Sequence, residues 1–174
     1  KGNMDLNARR MIGVVGTRRA SRQGKARTVS FTTELAAYGC SIVSGLAYGI
    51  DAQAHHAAVE AEIPTAAVVA HGLDVLYPPN HYQLSRNMLA GGGAIISDQL
   101  HGMKLSPEHF PKRNRIIAGL CDALLLVESM TDGGAMITAD IALSYNRDVF
   151  AVPGRPEDEA SAGCNLLIRS NRAA

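Results

Sequence analysis

Cys40-Ser41-Ile42-Val43-Ser44-Gly45-Leu46-Ala47-Tyr48-Gly49-Ile50-Asp51 is the stretch that decides the fold. Cys40 to Val43 is a short run of small and apolar residues, the form taken by a strand buried on both faces. Ser44-Gly45 ends it. A helix of about ten residues is expected from Gly49 or Ile50 to Ala61, with Asp51 near its start, where a carboxylate suits the positive end of the helix dipole. A strand passing through glycines into a helix is one half of a βαβ unit.

The same unit recurs on either side. Met11 to Val15 reads as a strand ending at Gly16, and Ser21 through Tyr38 as a helix with Ser21 as N-cap and Gly39 as its stop. Thr65 to Ala70 reads as a third strand, followed by a loop to Tyr77-Pro78-Pro79-Asn80, a helix from about His81 to Ala90 and a strand from Ala94 to Ser97. A loop of roughly a dozen residues comes next, longer than compact domains usually hold, which marks it as functional or mobile. The remaining expected elements are a helix near Arg113 to Leu120, a strand Ala123 to Val127, a helix Gly134 to Ser144 and a strand Val149 to Val152, closed by Pro153-Gly154. Alternating strands and helices predict an α/β domain with a mainly parallel sheet.

Composition agrees. In 174 residues, 47% are hydrophobic and 19% charged, a globular balance with enough chain for one core. The net charge of +1 does not by itself mark a nucleic-acid binder, but its distribution is uneven. Eight of the 17 Lys and Arg residues fall in the first 30 positions against one acid, Asp5, while Glu128 to Glu159 is mostly acidic. Cys40, Cys121 and Cys164 are far apart and show no CxxC spacing, so they read as buried thiols of a reducing compartment rather than a disulfide or zinc framework. No apolar run reaches the roughly 18–20 residues that span a bilayer, and a cytoplasmic protein is expected. The chain begins at Lys1 and ends at Ala174 without an evident tail, so residues 1–174 are expected to be one domain of a longer protein.

In open α/β sheets ligands gather at the carboxyl ends of the strands. The turns there carry Gly16-Thr17-Arg18, Ser44-Gly45 to Gly49, and Asp132-Gly133-Gly134, whose amides could face an anion or could simply permit tight turns. GxGxxG, P-loop, HExxH and GxSxG patterns are missing. His55-His56 are adjacent on a helix and point apart, which suits packing or surface positions better than a shared metal. Arg18 directly follows the first strand, where a guanidinium can fork onto phosphate oxygens. Ser44 can donate to a phosphate or cap a helix. Phe110-Pro111-Lys112-Arg113-Asn114-Arg115 joins an aromatic, three cations and an amide, the composition of a single-stranded nucleic-acid site. Its plain alternative is a solvated first helical turn, a poor place for cations unless an anion sits there.

Taken together these residues resemble the DprA/Smf family of DNA-processing proteins. The likeness runs through Val15-Gly16-Thr17-Arg18, through Ile42 to Asp51 and through Gly72-Leu73-Asp74 with Tyr77-Pro78. It continues in Phe110 to Leu120, Gly134 to Ala139, Val149 to Gly154 and Gly163-Cys164-Asn165. The resemblance implies an extended, doubly wound Rossmann-like fold with helices on both faces, without catalytic, metal or cofactor chemistry. It also implies single-stranded DNA as ligand, RecA recombinase as partner in natural transformation, a homodimer, and small flanking domains outside this segment. By motif, the DNA contacts it implies are Arg18, Ser44, Gly45, Phe110, Lys112, Arg113, Asn114 and Arg115, with Gly133 and Gly134 lining the same pocket. A more distant likeness is to LOG-type phosphoribohydrolases, whose catalytic Glu is replaced here by nothing nearer than Asp140.

Overall fold

The computed structural model describes residues 1–7 and 10–174. Six parallel strands form its sheet: β1 (Met11–Val15), β2 (Ser41–Ser44), β3 (Thr65–Val68), β4 (Ala94–Ile96), β5 (Ala123–Leu126) and β6 (Asp148–Ala151). They lie in the order β4-β3-β2-β1-β5-β6. In register, Gly13 of β1 faces Val43 of β2 on one side and Leu124 of β5 on the other.

The connecting helices are α1 (Arg22–Ala36), α2 (Ile50–Glu60), α3 (Tyr82–Ala90), α4 (His109–Leu120), α5 (Gly134–Ser144) and α6 (Ala162–Arg169). Strand side chains alternate between two apolar layers, as a period of two requires. Val14, Ile42 and Val127 pack with Ile50, Ala54 and Ala58 of α2, while Val15, Val43, Leu124 and Leu126 pack with Ile117 of α4 and Ala139 of α5. The sheet is therefore covered on both faces. From β1 the chain builds outward to β4, then returns to place β5 against the other side of β1. This reversal is the topological switch point, where an α/β sheet opens a crevice for a ligand.

The expected elements are all present, with shifted ends, a further helix and two short 3₁₀ turns, Pro79–His81 and Glu159–Ser161. Ser21 caps α1, accepting the Gly24 N–H at 2.9 Å. The helix expected from Arg113 begins one turn earlier, at His109, because Pro111 fits within a first turn, where its missing N–H leaves no helical bond unmade. Lys112 and Arg113 therefore do not open that helix, and the expectation that they oppose its dipole at the terminus is corrected. Helix α6 was not anticipated; Cys164 and Leu167, three residues apart, bury its inner side. The three cysteines are free and buried, and among the described residues no helix is long and apolar enough to cross a membrane.

Candidate nucleic-acid interface

Over the carboxyl ends of β1 and β5 lies an open groove of about 720 Å³. One wall is the turn after β1, Gly16-Thr17-Arg18; the opposite wall is Ser129, Met130 and the Gly133-Gly134 start of α5; α4 closes the back through Phe110 and Asn114. Tyr77 and, on α5, Ile137 and Thr138 also line it; all three lie in stretches that carry the resemblance, but nothing in the sequence singled them out as contacts.

Arg18 is exposed on the rim, its guanidinium carbon 5.0 Å from the centre of the Phe110 ring. Phe110 in turn meets Tyr77 edge to face, with centroids 6.1 Å apart. The Tyr77 backbone is fixed from below: its N–H donates to Nε2 of buried His71 at 3.0 Å, and His71 Nδ1 hydrogen-bonds the Gly72 carbonyl at 2.9 Å. A cation beside two aromatic rings can hold a phosphate and a base at once.

The start of α5 is the free helix terminus of the groove. Its N-cap, Gly133, brings no side chain, and no acid lies in its first turn. Nothing lies within 4 Å of the point where a Gly134 Cβ would stand, so the turn faces open space. Asn114 ties α4 to this turn through its amide and the Gly134 carbonyl, 3.4 Å apart. Here the dipole and unfilled amides favour an anion.

The turn after β2 is built differently, and three of the expected contact residues are engaged within the protein there. The Ser44 hydroxyl is buried and donates to the Val14 carbonyl at 2.6 Å. The Gly45 N–H donates to Asp51 Oδ2 at 3.1 Å. Arg113 is 4% exposed, and its Nη1 donates to the carbonyls of Gly45 (2.8 Å) and Val68. A Cβ on Gly45 would stand 2.6 Å from the Asp51 carboxylate and 2.7 Å from the Arg113 guanidinium, so only glycine fits between them. Burial lowers Arg113 to about 10, with Asp51 pulling it back up. Burial also raises the Asp51 carboxyl, opposed by Arg113 and the amides of Ala47 and Gly45. This trio joins β2, β3 and α4 at the base of the groove, with the Gly45 amide and Arg113 Nη1 engaged by partners of the protein's own.

The remaining cations of the segment turn away. Lys112 is exposed and pairs with Glu108 at 3.8 Å; Arg115 is exposed and pairs with Asp98 at 2.8 Å; neither lines the groove. Of the ten residues expected to meet DNA, the structure brings Arg18, Phe110, Asn114, Gly133 and Gly134 to the groove surface. It places Arg113 at the groove floor, Ser44 and Gly45 beneath, and Lys112 and Arg115 outside. Asp140, the nearest stand-in for a phosphoribohydrolase glutamate, does not line the groove and pairs with Arg172 at 2.7 Å. His55 packs through its Nδ1 on the Thr65 hydroxyl at 2.7 Å, and His56 is exposed.

Fold and groove together define a class: a Rossmann-like α/β protein whose switch-point crevice joins an arginine, an aromatic pair and a free helix terminus. The family model for DNA recombination-mediator protein A matches residues 1–174, and the chain belongs to that family, the DprA/Smf proteins of the resemblance. It is 43% identical over 159 residues to Protein Smf of Synechocystis, covering 91% of this chain and 40% of that protein. The X-ray structure of DNA processing protein A from Streptococcus pneumoniae superposes with a TM-score of 0.92 at 39% identity, covering 99% of this chain and 60% of that one. A structure of the Helicobacter pylori protein, described for its single-stranded DNA binding mode, superposes at 0.88 with 29% identity, covering 97% of this chain and 76% of that one. The chain spans between 40% and 59% of three curated relatives that it matches.

Proposed function

We propose that this chain is the DNA-capturing domain of a longer, cytoplasmic DNA-processing protein, and that it binds single-stranded DNA in the groove between the turns after β1 and β5. The observation that carries the reading is the groove itself: Arg18 beside Phe110 on one wall and the uncapped start of α5 on the other. Phosphates pair with Arg18 and the α5 amides, and a base stacks on Phe110 or Tyr77, with Asn114 within reach of its polar edge. The Helicobacter pylori relative, described as binding single-stranded DNA, supports the choice of ligand. Binding proceeds without catalysis, and the assembled protein acts as a homodimer that hands incoming DNA to the RecA recombinase during natural transformation.

The test is a titration of a short oligonucleotide over a range of salt concentrations, with a parallel assay for free base released from a nucleoside monophosphate. A phosphate held by Arg18 makes log K fall linearly with log salt. Binding that ignores salt, or release of free base, contradicts the reading.

A further inference from the structure

The first βα turn, after β1, is where a Rossmann crevice ordinarily receives a phosphate, at the N-terminus of the following helix. In this chain that position holds a carboxylate of its own. Glu128, two residues past the end of β5, is 5% exposed and reaches across to α1. Its Oε2 accepts the Ser21 backbone N–H at 2.9 Å, and its Oε1 accepts the Ser21 hydroxyl. The same hydroxyl accepts the Gly24 N–H at 2.9 Å, so Ser21 links the carboxylate to the helix amides. The Glu128 carbonyl takes the Thr17 N–H of the turn itself at 2.7 Å.

A second, independent feature shows that the space is shaped for this group. A Cβ on Gly24 would overlap the Glu128 carboxylate, so glycine in the first turn of α1 is the cradle that lets the carboxylate in. Charge follows the same pattern. The first turn of α1 carries no acid and opens on Arg22, a cation the dipole opposes there unless an anion is already present. Glu128 is that anion.

We propose that Glu128 is a specificity-determining residue: a built-in anion that fills the phosphate site of the first βα turn and leaves α5 as the helix terminus in this groove able to take a ligand's phosphate. A dinucleotide that needs its pyrophosphate at α1 is thereby refused, whatever ligand the groove accepts at α5. The inference does not depend on the DNA reading, and its test uses inorganic phosphate.

The melting temperature of the chain is measured in chloride and in about 50 mM phosphate at matched ionic strength, for wild type, Glu128→Ala and Glu128→Gln. An anion that binds only the folded form raises its melting temperature. Glu128→Ala vacates the site, so it melts lower than wild type in chloride and regains at least half of that loss in phosphate. Glu128→Gln keeps the space filled without the charge, so it melts lower and regains nothing beyond the wild-type response. The proposal is overturned if Glu128→Ala responds to phosphate no more than wild type, or if the two variants respond alike. Should Glu128→Ala fail to fold in chloride, refolding in phosphate decides: folded protein recovered in phosphate alone supports the proposal, and failure in both buffers overturns it. Oligonucleotide binding by the wild type is scored separately, so this result and the DNA reading stand or fall apart.

Discussion

The turn after β2 and the turn after β5 start from similar material, a small-residue turn that leads into a helix on a parallel sheet. They finish as opposites. After β2, Asp51 folds back onto the Gly45 and Ala47 amides, and Arg113 seals the floor from across the sheet. After β5, Gly133 and Gly134 bring no side chain, no acid stands in the first turn of α5, and the groove opens directly onto it. Glycine alone therefore does not make an anion site. What decides is whether the chain supplies its own carboxylate to that terminus. Of the termini around this groove, α1 and α2 are supplied in this way and α5 is left free.

The contrast predicts that the sealed side governs stability and the open side governs binding. The largest effect is expected from Arg113→Ala, which leaves Asp51 buried without its neighbouring counter-charge and the Gly45 and Val68 carbonyls without their donor; stranding a buried charge this way costs about 3–5 kcal/mol, measurable by urea denaturation. A merely local loss, under about 1 kcal/mol, would show that the floor is not a stability element.

The sealed side also responds to pH. Burial lowers His55 on α2 to about 3, from an ordinary value of 6.5. The unfolded chain takes up this proton below 6.5 and the folded chain does not, so stability falls as pH drops from 6.5 toward 3. The slope is about 1.4 kcal/mol per pH unit, roughly 2 kcal/mol by pH 5. A His55→Gln variant should lose this part of the slope, read from melts at several pH values.

On the open side, Gly134→Asp supplies the carboxylate that α5 lacks. An acid in a first turn stabilises a helix by about 0.3–1 kcal/mol, yet the same charge repels a phosphate, so the melting temperature should rise while oligonucleotide affinity falls about tenfold. Both moving in the same direction would break the comparison. The smallest effect is expected from Lys112→Ala: its exposed pair with Glu108 contributes less than about 0.5 kcal/mol, and its position outside the groove should leave oligonucleotide affinity within about twofold.

Much of this architecture was legible in the chain. Strands buried on both faces announce themselves as apolar runs, and Ser21 marks the start of α1 by the chemistry of an N-cap. The groove walls at Gly16-Thr17-Arg18 and Gly133-Gly134 followed from strand ends alone. The segment Phe110 to Arg115 was the exception. Written out, it is a cluster; wound into a helix, its neighbours turn about 100° apart and part company. Arg113 shares a side with Ile117, four residues on and 1% exposed, and goes to the floor, while Lys112 and Arg115 go to solvent. That spacing was visible in the sequence but outweighed by the run of charge. The bond between Glu128 and Ser21 had no local sign, since 107 residues separate the partners.

The central claim is that the cation meeting DNA is Arg18 beside Phe110, and not the run of basic residues on α4. It is tested most directly by measuring log K against log salt for a short oligonucleotide with wild type, Arg18→Ala and Arg115→Ala. Removing a phosphate-binding cation should lower affinity about tenfold and make the salt slope shallower by about one. The expected result is that Arg18→Ala shows both changes and Arg115→Ala neither; an equal or larger loss in Arg115→Ala would contradict the account.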